Sequence, residues 1–176
     1  MSSLFNHIFI PVVILILFSK KLKLNTREVI AISFFAILPD IDSIFFLLKL
    51  SSLPLHRILF HNVFILIIPF LCYIFIKSRR EVFGIICFYL TSHLILDLFT
   101  GGIFLFYPVY NNVFFANVEL LYNFKPVLEY GISNKIMNLN MGRGEPVISS
   151  ENVAIAILIA LVIMLARGIY NKTEPE

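Results

Sequence analysis

The chain has 176 residues, of which 59% are hydrophobic, 15% aromatic and only 14% charged, with a formal net charge of +3 and a mean hydropathy of +0.91. So apolar a composition excludes an ordinary soluble domain and indicates an integral membrane protein. The small positive charge sits in clusters at the ends of apolar runs, the pattern of membrane sorting and not of nucleic-acid binding, so no nucleic-acid partner is expected.

In chain order the apolar runs cover residues 4–19, 29–50, 62–76, 82–106 and 153–169. A helix needs about 20 residues to cross a bilayer. The expectation is an all-α integral membrane protein of about five transmembrane helices, two of them short, forming a single membrane domain over 1–176. The first run is not expected to be a cleaved signal, because MSSLFNH has no basic residue and Lys20, Lys21, Lys23 and Arg27 follow the run instead of preceding it. Cys72 and Cys87 lie inside apolar runs, where a thiol packs as a small hydrophobe.

The dense basic clusters KKLKLNTR and KSRR follow the first and third runs. By the positive-inside rule both belong in the cytoplasm. The segment KLSSLPLHR and the stretch 107–152, with Glu119, Glu129, Glu145 and Glu151, then lie outside. This predicts a multi-pass plasma-membrane protein with its N-terminus out and its C-terminus cytoplasmic. Within 107–152, YPVYNNVFF, NFKPVLEYG and GRGEPVISS alternate short apolar pieces with Pro, Gly and Asn, so an extracytoplasmic loop insertion of partial hairpin character is expected.

All four histidines, His7, His56, His61 and His93, and all three aspartates, Asp40, Asp42 and Asp97, lie in or beside apolar runs. An ionisable side chain in a bilayer costs at least about 2.5 to 3.5 kcal/mol on insertion scales, so several together need compensation. A bound cation supplies it. His93 and Asp97 in TSHLILDLFT are four apart and share one helix face. Asp40 and Asp42 in LPDIDS would diverge by about 200° on a regular helix, but Pro39 breaks the hydrogen-bond ladder and allows both to turn inward. His56 is placed in a loop and His61 in the first turn of the third span. At about 1.5 Å rise per residue, Asp40, His93 and His61 fall roughly 16, 16 and 22 Å from the cytoplasmic ends of their runs, which puts the site toward the outer face. A single membrane histidine or an Asp–His pair can equally be a structural hydrogen bond. Arg57 can equally snorkel at the interface.

The order of an early His, then LPDID, then HR with a second His, then HLILD followed by FTGG and YP resembles the membrane-bound metal-dependent hydrolases whose bacterial prototype is under LexA control. The resemblance runs from about His7 to Pro108. The pattern HRGxTHS of that family stands here as HRILFHN, with Ile58, Phe60 and Asn62 in place of Gly, Thr and Ser. Carried over residue by residue, it implies metal ligation by His7, Asp40, Asp42, His56, His61, His93 and Asp97.

Mixed imidazole and carboxylate donors suit a divalent transition metal, Zn or Mn above all, as one or two ions. Such a centre hydrolyses phosphoesters by activated water, and its depth suggests a lipid phosphate or similar amphiphile drawn from the surrounding bilayer. Asp42 or Asp97 is the candidate general base, and Arg57 the candidate partner of a phosphate oxygen. The rival readings are a metal-binding scaffold or an ion carrier without hydrolytic activity. A carrier needs polar groups through both leaflets, and VVILILF, FLCYIFI and LIALVIMLA continue no such route.

Overall fold

The computed structural model describes residues 4–41, 60–121, 126–135, 146–148 and 150–170. Helix α1 (Leu4–Leu22) ends in a Schellman turn: the Leu24 amide donates to the Ser19 carbonyl at 2.8 Å and the Lys23 amide to Lys20 at 3.4 Å. Lys23 takes the left-handed conformation this turn needs, with φ 54°. The turn delivers Asn25, whose side chain accepts from the Arg27 amide and caps the short α2 (Thr26–Ala31). A 3₁₀ segment, Ser33–Ile41, follows. After a 3₁₀ turn at Val63–Leu66 come α3 (Ile67–Phe75), a further 3₁₀ turn at Lys77–Arg79, and α4 (Arg80–Phe99).

Helix α4 is the axis of the molecule. Its Ile85, Tyr89, Leu96 and Phe99 are buried along one face, and the buried Leu90 widens that face by about 100°. Leu96 and Phe99 pack with Ile14 of α1 and with Ala154, Leu158 and Val162 of α5 (Ser150–Tyr170). Ile85 and Tyr89 pack with Leu15, Val29 and Ala36. Adjacent residues of α1, Ile14 and Leu15, thus serve two clusters, and α1 is wedged between them. The buried Tyr89 hydroxyl donates to the Val29 carbonyl at 2.7 Å and ties α2 to the axis.

Three antiparallel strands, β1 (Val113–Leu121), β2 (Pro126–Ser133) and β3 (Pro146–Ile148), form a sheet of order β2-β1-β3. Val113 pairs with Ser133 and Leu120 with Pro126, while Leu120 also faces Ile148. Val113, Asn117 and Glu119 of β1 turn inward, whereas Leu128, Tyr130 and Ile132 of β2 are exposed.

The sheet and the broken helices correct the all-α, five-span expectation. Among the described residues one helix, Lys77–Phe99, is long and apolar enough to cross a membrane, and Val63–Phe75 and Glu151–Met164 are shorter apolar helices. Each run has a physical reason to stop. Residues 29–50 do not start as one helix, because α2 ends at Ala31 and the following 3₁₀ segment carries Pro39, which lacks an amide hydrogen and disfavours α geometry just before it. Residues 82–106 are cut after Phe99, where Gly101 and Gly102 take φ of 134° and 88° and turn the chain back toward the sheet. The stretch expected as an extracytoplasmic loop contains aromatic and β-branched pieces that pair as strands.

Gly102 is the tightest of these joints. A Cβ there would lie 2.6 Å from Val113 Cγ1, 2.7 Å from the Phe114 carbonyl oxygen and 2.9 Å from Phe115 Cβ. Gly102→Ala is expected to destabilise the protein by about 1–3 kcal/mol, read as a lower midpoint of thermal unfolding in detergent. Gly131→Ala, whose Cβ would only touch the Phe115 ring at 3.6 Å, is expected to stay close to the parent.

Candidate metal centre

His93 and Asp97 stand one turn apart near the end of α4, on its buried side. Asp40 comes from the 3₁₀ segment, one residue beyond the buried Pro39. His61 sits in a bend, two residues ahead of a 3₁₀ turn capped by Asn62, whose side chain accepts from the Phe64 amide at 3.1 Å. That bend is held from the far side: the Val63 amide donates to the Leu105 carbonyl at 2.9 Å, and Ile103 bridges Phe114 of β1. The sheet therefore fixes the segment that carries His61. The Asp97 carbonyl accepts from both the Thr100 and Gly102 amides at 3.1 Å, so the turn that launches the sheet is built on a site residue.

The four side chains could hold one metal ion, since their ligand atoms lie within 4.8 Å of one another. His61 Nε2 is 3.3 Å from Asp40 Oδ1 and 3.1 Å from Asp97 Oδ2; His93 Nε2 is 3.7 Å and 3.4 Å from the same two oxygens. The two Nε2 atoms are 3.2 Å apart. A tetrahedron of donors about 2.1 Å from a central ion has edges of about 3.4 Å. Five edges of the cluster match that size.

Hydrogen bonding fixes what His93 offers to the centre. Its Nδ1 lies 2.7 Å from the Ala36 carbonyl oxygen, which can only accept, so Nδ1 carries a proton. In a neutral ring Nε2 is then a lone pair pointing among two carboxylates and a second imidazole. His61, His93 and Asp97 are at most 2% exposed, beyond the reach of compensating solvent. A protonated pair of rings would instead aim two N–H groups at each other across 3.2 Å.

The second oxygen of Asp97 faces away from this centre. Thr100 Oγ1 donates to Oδ1 at 3.2 Å, and His7 Nε2 lies 3.6 Å from the same atom. The His7 ring stacks on His93 with centroids 4.1 Å apart. Asn6, next to it, donates to Glu151 at 2.6 Å and so joins the start of α1 to the start of α5.

Of the residues singled out in the sequence, Asp40, His61, His93 and Asp97 come together and His7 stands beside them. Asp42, His56 and Arg57 lie outside the described residues. His61 occupies a bend rather than the first turn of a helix. Two participants escaped the sequence reading, Thr100 and the Ala36 carbonyl. The spacing of Thr100, three beyond Asp97, was a usable signal; a backbone carbonyl has none. Protein labelled with ¹⁵N at histidine is expected to show His93 protonated at Nδ1 and bare at Nε2 in its NMR spectrum; the opposite tautomer would contradict the assignment.

No curated protein and no solved structure matches the chain. The model of a single family, described as the YdjM inner membrane protein, matches residues 1–174, nearly the whole chain. The chain therefore belongs to the YdjM inner membrane protein family, and its place is in the membrane.

Proposed function

We propose that Asp40, His61, His93 and Asp97 bind one divalent transition metal, Zn or Mn, and that the centre hydrolyses a phosphoester of a lipid or similar amphiphile. The observation that carries the metal is the near-tetrahedral set of donor distances, with the His93 ring pinned by Ala36. Membership of a membrane family and the position of the centre favour an amphiphilic substrate. Asp97 lies 17 residues beyond Arg80, about 26 Å along α4, close to the thickness of a hydrocarbon core. With Lys77, Arg79 and Arg80 on the cytoplasmic side, the centre faces the extracytoplasmic leaflet.

A bound divalent ion supplies Lewis acidity toward water and toward a phosphoryl oxygen. His61 and His93 hold position through Nε2. Asp42 or Asp97, released from ligation, would be the carboxylate that takes a proton from the activated water. Asp40, with 14% of its side chain exposed against 0–3% for the other three, marks the side from which substrate enters. Arg57, singled out in the sequence, would pair with a phosphate oxygen. A second ion would use His7 and Asp97 Oδ1, which already face each other.

One observation favours a second reading, a metal-stapled scaffold without catalysis: four protein donors complete a tetrahedron, as structural sites do. Purified protein is expected to carry about one equivalent of Zn or Mn, and His93→Ala or Asp97→Ala to lose most of it; unchanged metal in both variants would remove the site. Thr100→Val is expected to keep the metal but lower turnover of a lipid phosphoester by about tenfold or more. If fully metallated protein cleaves none of a panel of lipid phosphoesters, the scaffold reading replaces the hydrolase.

Orientation has its own test. In a Cys72→Ala, Cys87→Ala background, Asn134→Cys is expected to react with a membrane-impermeant thiol reagent in intact cells, and Ser78→Cys only after the membrane is opened. The reverse pattern would turn the centre toward the cytoplasmic leaflet.

A further inference from the structure

At the end of α4 remote from the His–Asp cluster, a cleft of about 860 Å³ opens between α1, the α3–α4 turn and α4. That volume suits a small-molecule site. Its wall is apolar, made by Leu15, Leu24, Val82, Phe88 and Val162. Its rim is basic: Lys77, Arg79 and Arg80 border it directly, opposed by Glu28 and Glu81. Lys20, Lys21, Lys23 and Arg27 flank the lining residues Leu22 and Leu24, and all of these basic residues are exposed. Three cations thus border the cleft against two acids, and four more exposed cations stand within two residues of its lining residues along the chain.

Two details bear on what fits there. The Arg80 guanidinium lies over the Tyr73 ring at 4.5 Å. That contact holds the guanidinium, whose N–H edge is the part that grips phosphate oxygens, beside the cleft. Gly84 lines the cleft and lets the same ring pack close to α4, since a Cβ there would touch Tyr73 Cε2 at 3.4 Å. A cytoplasmic sorting signal needs only exposed charge; it needs no apolar cavity beneath the charge.

We propose that this cleft binds one anionic phospholipid, its phosphate on the Lys77, Arg79 and Arg80 rim and an acyl chain along Leu15, Val82, Phe88 and Val162. The excess of positive charge selects an anionic over a zwitterionic headgroup, and the apolar wall selects a lipid over a free phosphate. The site is independent of the metal centre and of its chemistry.

Native mass spectrometry of the full chain released from detergent, with phosphatidylglycerol, phosphatidylcholine of the same acyl chains and glycerol 3-phosphate as probes, tests it. Phosphatidylglycerol is expected to bind at least about tenfold better than phosphatidylcholine, and more weakly as ionic strength rises. The Lys77→Gln, Arg79→Gln, Arg80→Gln variant is expected to lose that preference. Gly84→Leu, which fills the cleft and keeps every charge, is expected to weaken phosphatidylglycerol binding by a similar factor. Equal binding of the two lipids by the unaltered protein, which requires no variant to fold, would overturn the proposal. So would undiminished phosphatidylglycerol binding by folded Gly84→Leu, or glycerol 3-phosphate binding as tightly as the lipid.

Discussion

Two carboxylates and two imidazole nitrogens packed within one coordination sphere, almost out of reach of water, make an electrostatic demand that the surrounding fold has to meet. Separately each group would seek solvent or a proton. Together, with His93 Nδ1 committed to the Ala36 carbonyl, they present lone pairs and negative charge to a shared centre. A divalent cation turns that mutual repulsion into attraction, so the cluster is best understood as a joint between elements as well as a site for chemistry. It links the 3₁₀ segment and the bend before α3, both too short or too irregular to be held by helix packing alone, to the end of the well-packed α4.

The rest of the architecture is arranged around that joint. Helix α4 carries two of the four donors, and its position is set by both apolar clusters. The Gly101–Gly102 turn sends the chain from Asp97 into Ile103, which pairs with Phe114 of β1, and Leu105, whose carbonyl accepts from the Val63 amide two residues beyond His61. The sheet is thus part of the mechanism that places a ligand. At the opposite end of the same helix the charges are basic and exposed, and the space among them is apolar. One helix therefore separates an acidic, cation-seeking end from a basic, anion-seeking one.

How much of this was legible in the sequence depends on the range over which each feature is determined. The His93–Asp97 pair follows from helical spacing, and the link to Asp40 and His61 from the cost of leaving such groups alone in apolar surroundings. Pro39 announces a break in the helical ladder, but the break at Gly101 and Gly102 is harder to see, because hydropathy registers composition and not backbone geometry. The hairpin of 113–133 is legible in part, as the partial hairpin character expected of 107–152. Leu128, Tyr130 and Ile132 alternate with Glu129, Gly131 and Ser133, the period of a strand, but alternation alone does not say which face is exposed, and here it is the apolar one. The tautomer of His93 rests on a carbonyl from a distant segment, which no local pattern encodes.

X-ray absorption at the metal edge of purified, metal-loaded protein measures the joint itself. The expected spectrum contains only nitrogen and oxygen donors at about 2.0–2.2 Å with the multiple scattering of two imidazoles, and one imidazole fewer in His93→Ala. Sulfur at about 2.3 Å, from Cys72 or Cys87, or a spectrum without imidazole, would contradict the assignment of His61, His93, Asp40 and Asp97 as the ligands.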